Sequence, residues 1–345
     1  MLKKSVYITF LVIALVSVWI GVHAEAFYDP YQNLMSDPEH PQKLDEAVID
    51  SICQLSDEEA YALDEESRSN VTFDHSPIVK YTALPASFQN TQENKLTSAS
   101  SLNAIFTQIH DKHRIKILML GDSHVRGGYY PRAVESELRR LLQGCQIEFS
   151  VISKNGVTLS YFLDETRLSS IERTHPDLII MSVGTNEAHG TFLSDSYTGK
   201  LSSFVEQVSA RCAGVKVLFT TPPGSYKSTY CRKTISVPVT SRRGNGKRRR
   251  TRTTMRQTTV TVVSGKNPNQ VTTQVARTIS SFARQSDDCA VWDLTNICGG
   301  ANGCINWHRA GLMAGDQIHY TSSAYNLQGT MLADAFVNAY NNFYN

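Results

Sequence analysis

This chain has little net charge for its length. Its 34 Lys and Arg residues stand against 32 Asp and Glu, leaving +2 over 345 residues. Overall charge therefore argues for neither a nucleic-acid binder nor an acidic partner. Metal-site spacing is missing too. Seven cysteines are present, but none forms a CxxC pair and none joins histidine at zinc-ligand spacing. The odd count leaves at least one thiol unpaired. Beyond residue 22 no stretch is apolar enough to cross a membrane. Nor is there a long apolar segment to serve as a lid over a lipid site. Nothing in the pattern calls for a metal or a cofactor.

The amino terminus holds what the remainder lacks. Lys3 and Lys4 precede an almost wholly apolar run from Ser5 to Val22, and Val22-His23-Ala24 places a small-residue site where a signal peptidase reads. Residues 1–24 are expected to be a signal peptide cleaved near Ala24, with delivery to a bacterial periplasm or envelope. A retained anchor is the alternative. No cysteine ends the run, which speaks against a lipid anchor. Disulfides persist in exported chains, and Cys298 and Cys304 flank a Gly-rich loop they could bridge.

Residues 25–110 read as a partly helical leader. Leu44, Val48, Ile52 and Leu55 recur at helical spacing, residues 57–77 are acidic and loop-like, and Leu102, Ile105, Phe106 and Ile109 form a second amphipathic face. From residue 111 to 345 apolar runs alternate with helical patterns. Strands are expected at 117–120, 147–152, 178–183, 215–220 and 290–294, and helices at 131–143, 270–284 and 324–343. That alternation predicts an α/β fold with a parallel sheet covered on both faces, its site at the carboxyl ends of the strands. One insertion, 225–265, breaks the rhythm. It holds Arg242, Arg243, Lys247, Arg248, Arg249, Arg250, Arg252 and Arg256 between Thr/Val-rich stretches that could pair as a hairpin. The insertion is either a solvated excursion or a surface attracting an anionic polymer or membrane.

The stretch on which the chemistry turns is residues 116–128, KILMLGDSHVRGG. Strand, tight turn, exposed serine and helix is a layout that holds a nucleophile at the open end of a sheet. A serine needs a base, the base needs an orienting partner, and the oxyanion needs prepositioned donors. Near the carboxyl end, Asp316 and His319 supply carboxylate and base at a three-residue spacing. His124 is a rival base, placed awkwardly beside Ser123. Donors come from Gly156, whose missing side chain lets backbone N–H approach closely, and from the Asn186 amide. Each follows a strand, so all would meet at one rim.

Ser123, Gly156, Asn186 and His319, with Asp316 as the acid, resemble the signature positions of the SGNH (GDSL-type) hydrolase superfamily over roughly residues 116–343. The resemblance implies a flavodoxin-like three-layer α/β/α sandwich. It also implies a serine esterase with Ser123 as nucleophile, His319 as base, Asp316 as its orienter, and the Ser123 and Gly156 amides and Asn186 as the oxyanion hole. One block departs from the pattern, reading GTNE where GxND is common, which puts the role of Glu187 in doubt between substrate binding and bracing a loop. Residues 221–224 (TPPG) and 304–307 (CINW) are similar to exported bacterial members related to peptidoglycan O-acetylesterases. An acylated glycan is thus the implied substrate, on which Trp307 either stacks or, as a core residue, does not. A lipase or thioesterase with the same triad and a non-catalytic glycan-binding envelope protein are the competing readings.

Overall fold

A computed structural model describes residues 83–243 and 250–344. The expected signal peptide, the helix near 43–56, the acidic stretch 57–77 and the tip of the basic insertion lie outside them. The described residues divide into two units, 83–226 with 268–344, and 227–243 with 250–267.

In the larger unit, strand β1 (Leu96–Thr97) and a 3-10 turn lead into α1 (Asn103–Lys112) and β2 (Arg114–Gly121). Next come α2 (Ser123–Arg126), α3 (Tyr129–Leu141), β3 (Gln146–Ser153), α4 (Glu165–Glu172) and β4 (Leu178–Ser182). The chain continues through α5 (Thr185–His189), α6 (Ser194–Arg211) and β5 (Lys216–Thr220). After the excursion formed by β6 (Tyr226–Arg243) and β7 (Arg250–Pro268), it resumes with α7 (Val271–Ala283) and β8 (Cys289–Trp292). Helices α8 (Leu294–Ile297), α9 (Gly303–Arg309) and α10 (Ser322–Tyr344) complete it.

The sheet runs β1-β8-β5-β4-β2-β3, parallel throughout except for β1. Successive side chains of a strand face opposite ways, and β2 shows the consequence. Ile117 and Met119 enter one core with Phe106, Val134, Leu138 and Phe336 from α1, α3 and α10. Leu118 and Leu120 enter the other, with Leu168, Phe204, Val208 and Ile279 from α4, α6 and α7. A strand buried on both faces must be apolar at every position, which is why these runs do not alternate in sequence. The fold is a three-layer α/β/α sandwich.

Two features of the sheet position the site. The chain steps from β2 outward to β3, then returns past β2 to β4, so loops after β2 and β4 diverge and leave a crevice between them. The register is also level: Gly121 lies opposite both Ser153 and Ser182, and Ser182 opposite Thr220. Four strand ends therefore share one rim. The turn after Gly121 is tight. A Cβ there would land inside the Val125 side chain and 3.0 Å from the Ser182 carbonyl oxygen.

Several expectations meet a more detailed picture. The proposed leader boundary at 110 falls inside α1, whose Phe106 ring packs 5.5 Å from Phe336 and 6.0 Å from Tyr340 of α10. The last strand ends at Trp292 rather than 294, because the Asp293 side chain accepts from Asn296 N–H and starts α8. The Cys298–Cys304 bridge that the sequence allowed is not formed: both are free thiols. Cys298 packs in the core beside Trp307, while Cys304 is buried elsewhere and burial pushes its thiol up to about 12. Among the described residues no helix is long and apolar enough to cross a membrane.

The smaller unit is a two-stranded ribbon, β6 with β7. Thr229 Oγ1 donates to the Gly265 carbonyl at 3.0 Å, and the Thr240 and Thr253 hydroxyls meet at 3.3 Å. The Thr/Val-rich flanks of the basic insertion do pair, over a longer span than the sequence suggests.

Replacing Gly121 by alanine forces a shift of Val125 or of the β4 end. Overpacking of this kind costs about 1–3 kcal/mol. Urea unfolding should show a lowered midpoint of that size, together with a loss of Ser123 reactivity toward an organophosphonate probe.

Candidate active site

The turn after β2 carries Ser123 at the first position of α2. Asp122 precedes it in extended backbone and caps the helix, its Oδ1 accepting from His124 N–H at 3.0 Å. A first-turn N–H has no carbonyl behind it in its own helix, so the Ser123 amide is left to serve another acceptor. Gly156, in the loop after β3, adopts φ +68°, a left-handed conformation that glycine takes without steric cost. Lys154 N–H donates to the Gly121 carbonyl at 3.2 Å, tying this loop to the nucleophile turn.

His319 arrives from the loop before α10. Its Nε2 lies 2.8 Å from Ser123 Oγ, and its Nδ1 lies 2.6 Å from Asp316 Oδ2. The other oxygen of Asp316 accepts from Ile318 N–H at 2.9 Å and His319 N–H at 3.0 Å. The carboxylate thus shapes the loop and orients the ring at once. Burial alone would raise its pKa. The hydrogen bond and charge of His319, with the two backbone N–H groups, outweigh that and hold it at about 2. Ser123 and His319 are only 6% and 4% exposed. The pair is nearly enclosed.

His124, the rival base, is directed elsewhere. Its Nδ1 meets the Tyr325 hydroxyl at 2.9 Å, and neither ring nitrogen bonds Ser123. Burial and then the charge of His319, whose ring lies 5.1 Å away, push its pKa well below the usual histidine range. A neutral imidazole here adds no second positive charge beside His319.

Asn186, at the start of α5, is held more tightly than sequence implied. Its Nδ2 donates to the Val157 carbonyl at 2.9 Å and to Asp122 Oδ2 at 3.3 Å. To donate to an oxyanion the amide must exchange one of these, and the longer contact to Asp122 is the weaker. Asp122 is therefore a participant that the sequence reading missed. An acidic residue directly before a helix start was the signal available for it. Its carboxyl is buried, which pushes its pKa up to about 7 against the opposing effect of the His124 N–H and His319.

Two candidate substrate contacts are corrected. Trp307 is 0% exposed, its ring packed edge-on against Phe88 at 5.0 Å and Tyr320 at 5.2 Å. It has no free face for a sugar. Glu187 is buried at 9% exposure, and its Oε1 accepts from Leu159 N–H at 2.7 Å. It braces the loop beyond Gly156 rather than facing solvent. Its second oxygen has no hydrogen-bond partner among the described residues, and burial lifts its pKa to about 7. No group of His, Cys, Asp and Glu among the described residues could hold a metal ion.

The arrangement, a serine hydroxyl on an imidazole on a carboxylate beside helix-terminal and glycine N–H groups, is equipped for acyl transfer. Comparison with known proteins agrees in fold. The GDSL-like Lipase/Acylhydrolase family model matches residues 119–327. A solved peptidoglycan O-acetylesterase superposes with a TM-score of 0.53 at 14% identity, over 69% of this chain and 97% of its own. The acetyl xylan esterase AlAXEase gives 0.43 at 16% identity, over 63% and 97%. TesA gives 0.41 at 17%, over 65% and 97%. At such identities the likeness is one of fold. No curated protein matches the sequence.

A carboxyl whose pKa is raised by folding favours the fold while protonated. That advantage is lost as pH climbs from about 4.5, the unfolded value, through about 7. Glu187→Gln keeps an oxygen for Leu159 and removes the buried charge. It should stabilise the protein by about 3 kcal/mol at pH 8 and leave it unchanged at pH 4, read from urea unfolding at the two pH values.

Proposed function

We propose that this chain, which belongs to the GDSL-like lipase/acylhydrolase family, removes O-acetyl groups from carbohydrate, with peptidoglycan or another envelope glycan as the substrate class. It is a carboxylic-ester hydrolase by family. The finer reading rests above all on the continuous relay Ser123–His319–Asp316, at 2.8 and 2.6 Å. The near-complete burial of Ser123 and His319 suits a short acyl group over a long chain. The structural likeness to a peptidoglycan O-acetylesterase and the apolar amino terminus with its small-residue site support an exported, envelope-directed enzyme.

In this reading His319 Nε2 takes the proton as Ser123 Oγ attacks the ester carbonyl. Asp316 fixes the tautomer and stabilises the imidazolium. The Ser123 and Gly156 amides receive the developing oxyanion, and Asn186 joins them on leaving Asp122. Each such donor is worth about 10²–10³ in rate when prepositioned. The tetrahedral intermediate collapses by breaking the carbon–oxygen bond to the sugar, whose oxygen takes the proton from His319. Water, deprotonated by the same imidazole, then attacks the acyl-serine and releases acetate, returning the hydrogen to Ser123.

Acetate release from nitrophenyl acetate and from acetylated glycans measures this. Ser123→Ala should lower kcat by up to about 10⁶ without changing the unfolding midpoint appreciably. Equal, slow rates for both proteins on every ester would overturn the catalytic reading. Faster turnover of long-chain acyl esters than of acetyl esters would instead leave an esterase but remove the acetyl-glycan assignment.

A further inference from the structure

With Trp307 enclosed in the core, a contact surface for a glycan has to come from elsewhere on the rim. The loop after β5 supplies one. Its last three residues are tied, position by position, to the two elements that frame the site. The Gly224 carbonyl accepts from the Tyr320 hydroxyl, and Ser225 Oγ lies 3.0 Å from His189 Nε2 at the end of α5. Tyr226 N–H donates to the Gln317 carbonyl at 2.9 Å. On one side of this loop is therefore the segment carrying Asp316 and His319, and on the other the helix carrying Asn186.

Three side chains gather where this loop meets α9. The Tyr226 and His308 rings lie 5.7 Å apart, edge to face, and Gln317 Nε2 lies 3.2 Å from His308 Nε2, so the amide donates to the imidazole. His308 follows Trp307 directly, and one helical step carries it from the core to the surface. Tyr226 and Gln317 are half-buried beside it. Gly224 lets the loop come this close to α9: a Cβ on it would stand 2.6 Å from the Cys304 nitrogen.

Two observations set this group apart from an ordinary surface. Gln317 has φ +63°, a left-handed conformation that glycine takes freely and a residue with a Cβ takes at a cost. Such positions persist where their surroundings hold them, and they cluster at ligand sites. Gln317 is held on both sides, its carbonyl by Tyr226 and its N–H by the Ala314 carbonyl at 3.0 Å. In addition, no hydrogen bond within the described residues engages the Tyr226 hydroxyl or the Gln317 amide oxygen. An aromatic face with a polar edge, beside a planar amide and an imidazole, matches the chemistry of a sugar. The ring takes the apolar face of a pyranose, and the polar groups take its hydroxyl or acetamido substituents.

We propose that Tyr226, His308 and Gln317 form a sugar subsite at the edge of the Ser123–His319 pair, holding a pyranose ring of the glycan that bears the ester. The inference deepens the acylated-glycan reading and rests on it. A simple ester such as nitrophenyl acetate has nothing to place in this subsite. Contacts made there, remote from the bond that breaks, orient the ester carbonyl toward Ser123 and so favour glycan esters.

Calorimetric titration of the full chain carrying Ser123→Ala, with oligomers of N-acetylglucosamine and of xylose, tests the claim without turnover. Adding Tyr226→Leu should raise the Kd of the sugar that binds by about tenfold, while Tyr226→Phe, which keeps the ring, should stay close to the parent. His308→Ala and Gln317→Gly should each weaken binding severalfold, the glycine accepting the left-handed backbone so that only the amide is lost. With Ser123 in place, the ratio of kcat/KM for the acetylated oligosaccharide to that for nitrophenyl acetate should fall about tenfold in Tyr226→Leu and recover in Tyr226→Phe. Binding of neither oligomer, or a Kd and a ratio indifferent to Tyr226→Leu, overturns the subsite and leaves the esterase standing. Sugar binding that depends on Tyr226, with no acetate released from any glycan, upholds the subsite and removes the acetyl-glycan assignment instead.

Discussion

Ser123 and His319 are 196 positions apart in the chain, and the 2.8 Å contact between them is the constraint that the larger unit satisfies. A hydroxyl is nucleophilic only while a base stands within hydrogen-bond reach. That reach tolerates errors of a few tenths of an ångström. The level register of β2, β3 and β4 supplies the precision on the serine side, because strands hydrogen-bonded across their length cannot slip independently. On the histidine side it comes from Asp316, whose two oxygens bind the ring and two backbone N–H groups of the same short loop.

The electrostatics divide into carboxylates that serve the site in opposite states. Asp316 is partnered enough to stay ionised, so it can oppose an imidazolium. Asp122 and Glu187 are buried with fewer donors, and their charged forms are disfavoured. This is a structure accepting local instability where function gathers. Asp122 joins the helical turn that presents Ser123 to the Asn186 amide, so the proposed nucleophile and the proposed oxyanion donor share one anchor. Exchange of the Asn186 hydrogen bond from Asp122 to a developing oxyanion would be an interaction gained in the transition state rather than in the ground state, the kind that lowers a barrier.

Outside the larger unit, charge takes over from packing. The ribbon contributes to neither of the two cores. What distinguishes it is its share of basic residues without a single acidic one among the described positions.

Sequence alone determined the class of fold and pointed to the residues proposed as the triad. Doubly buried strands must be apolar runs, helices must be periodic, and a serine, a histidine and a carboxylate in post-strand turns leave a local mark that needs no coordinates. The expected role of Asp316 also followed from its spacing, because three residues in one loop meet by local geometry. What only the tertiary structure decided were contacts between distant positions. Trp307 is a core residue because Phe88 and Tyr320 enclose it. Glu187 is a brace because Leu159 lies against it, and Asn186 is held because Asp122 and Val157 converge on its amide. Residue type says what a side chain is able to do. Which neighbours surround it, and so whether it meets substrate or core, depends on long-range packing that no local pattern records.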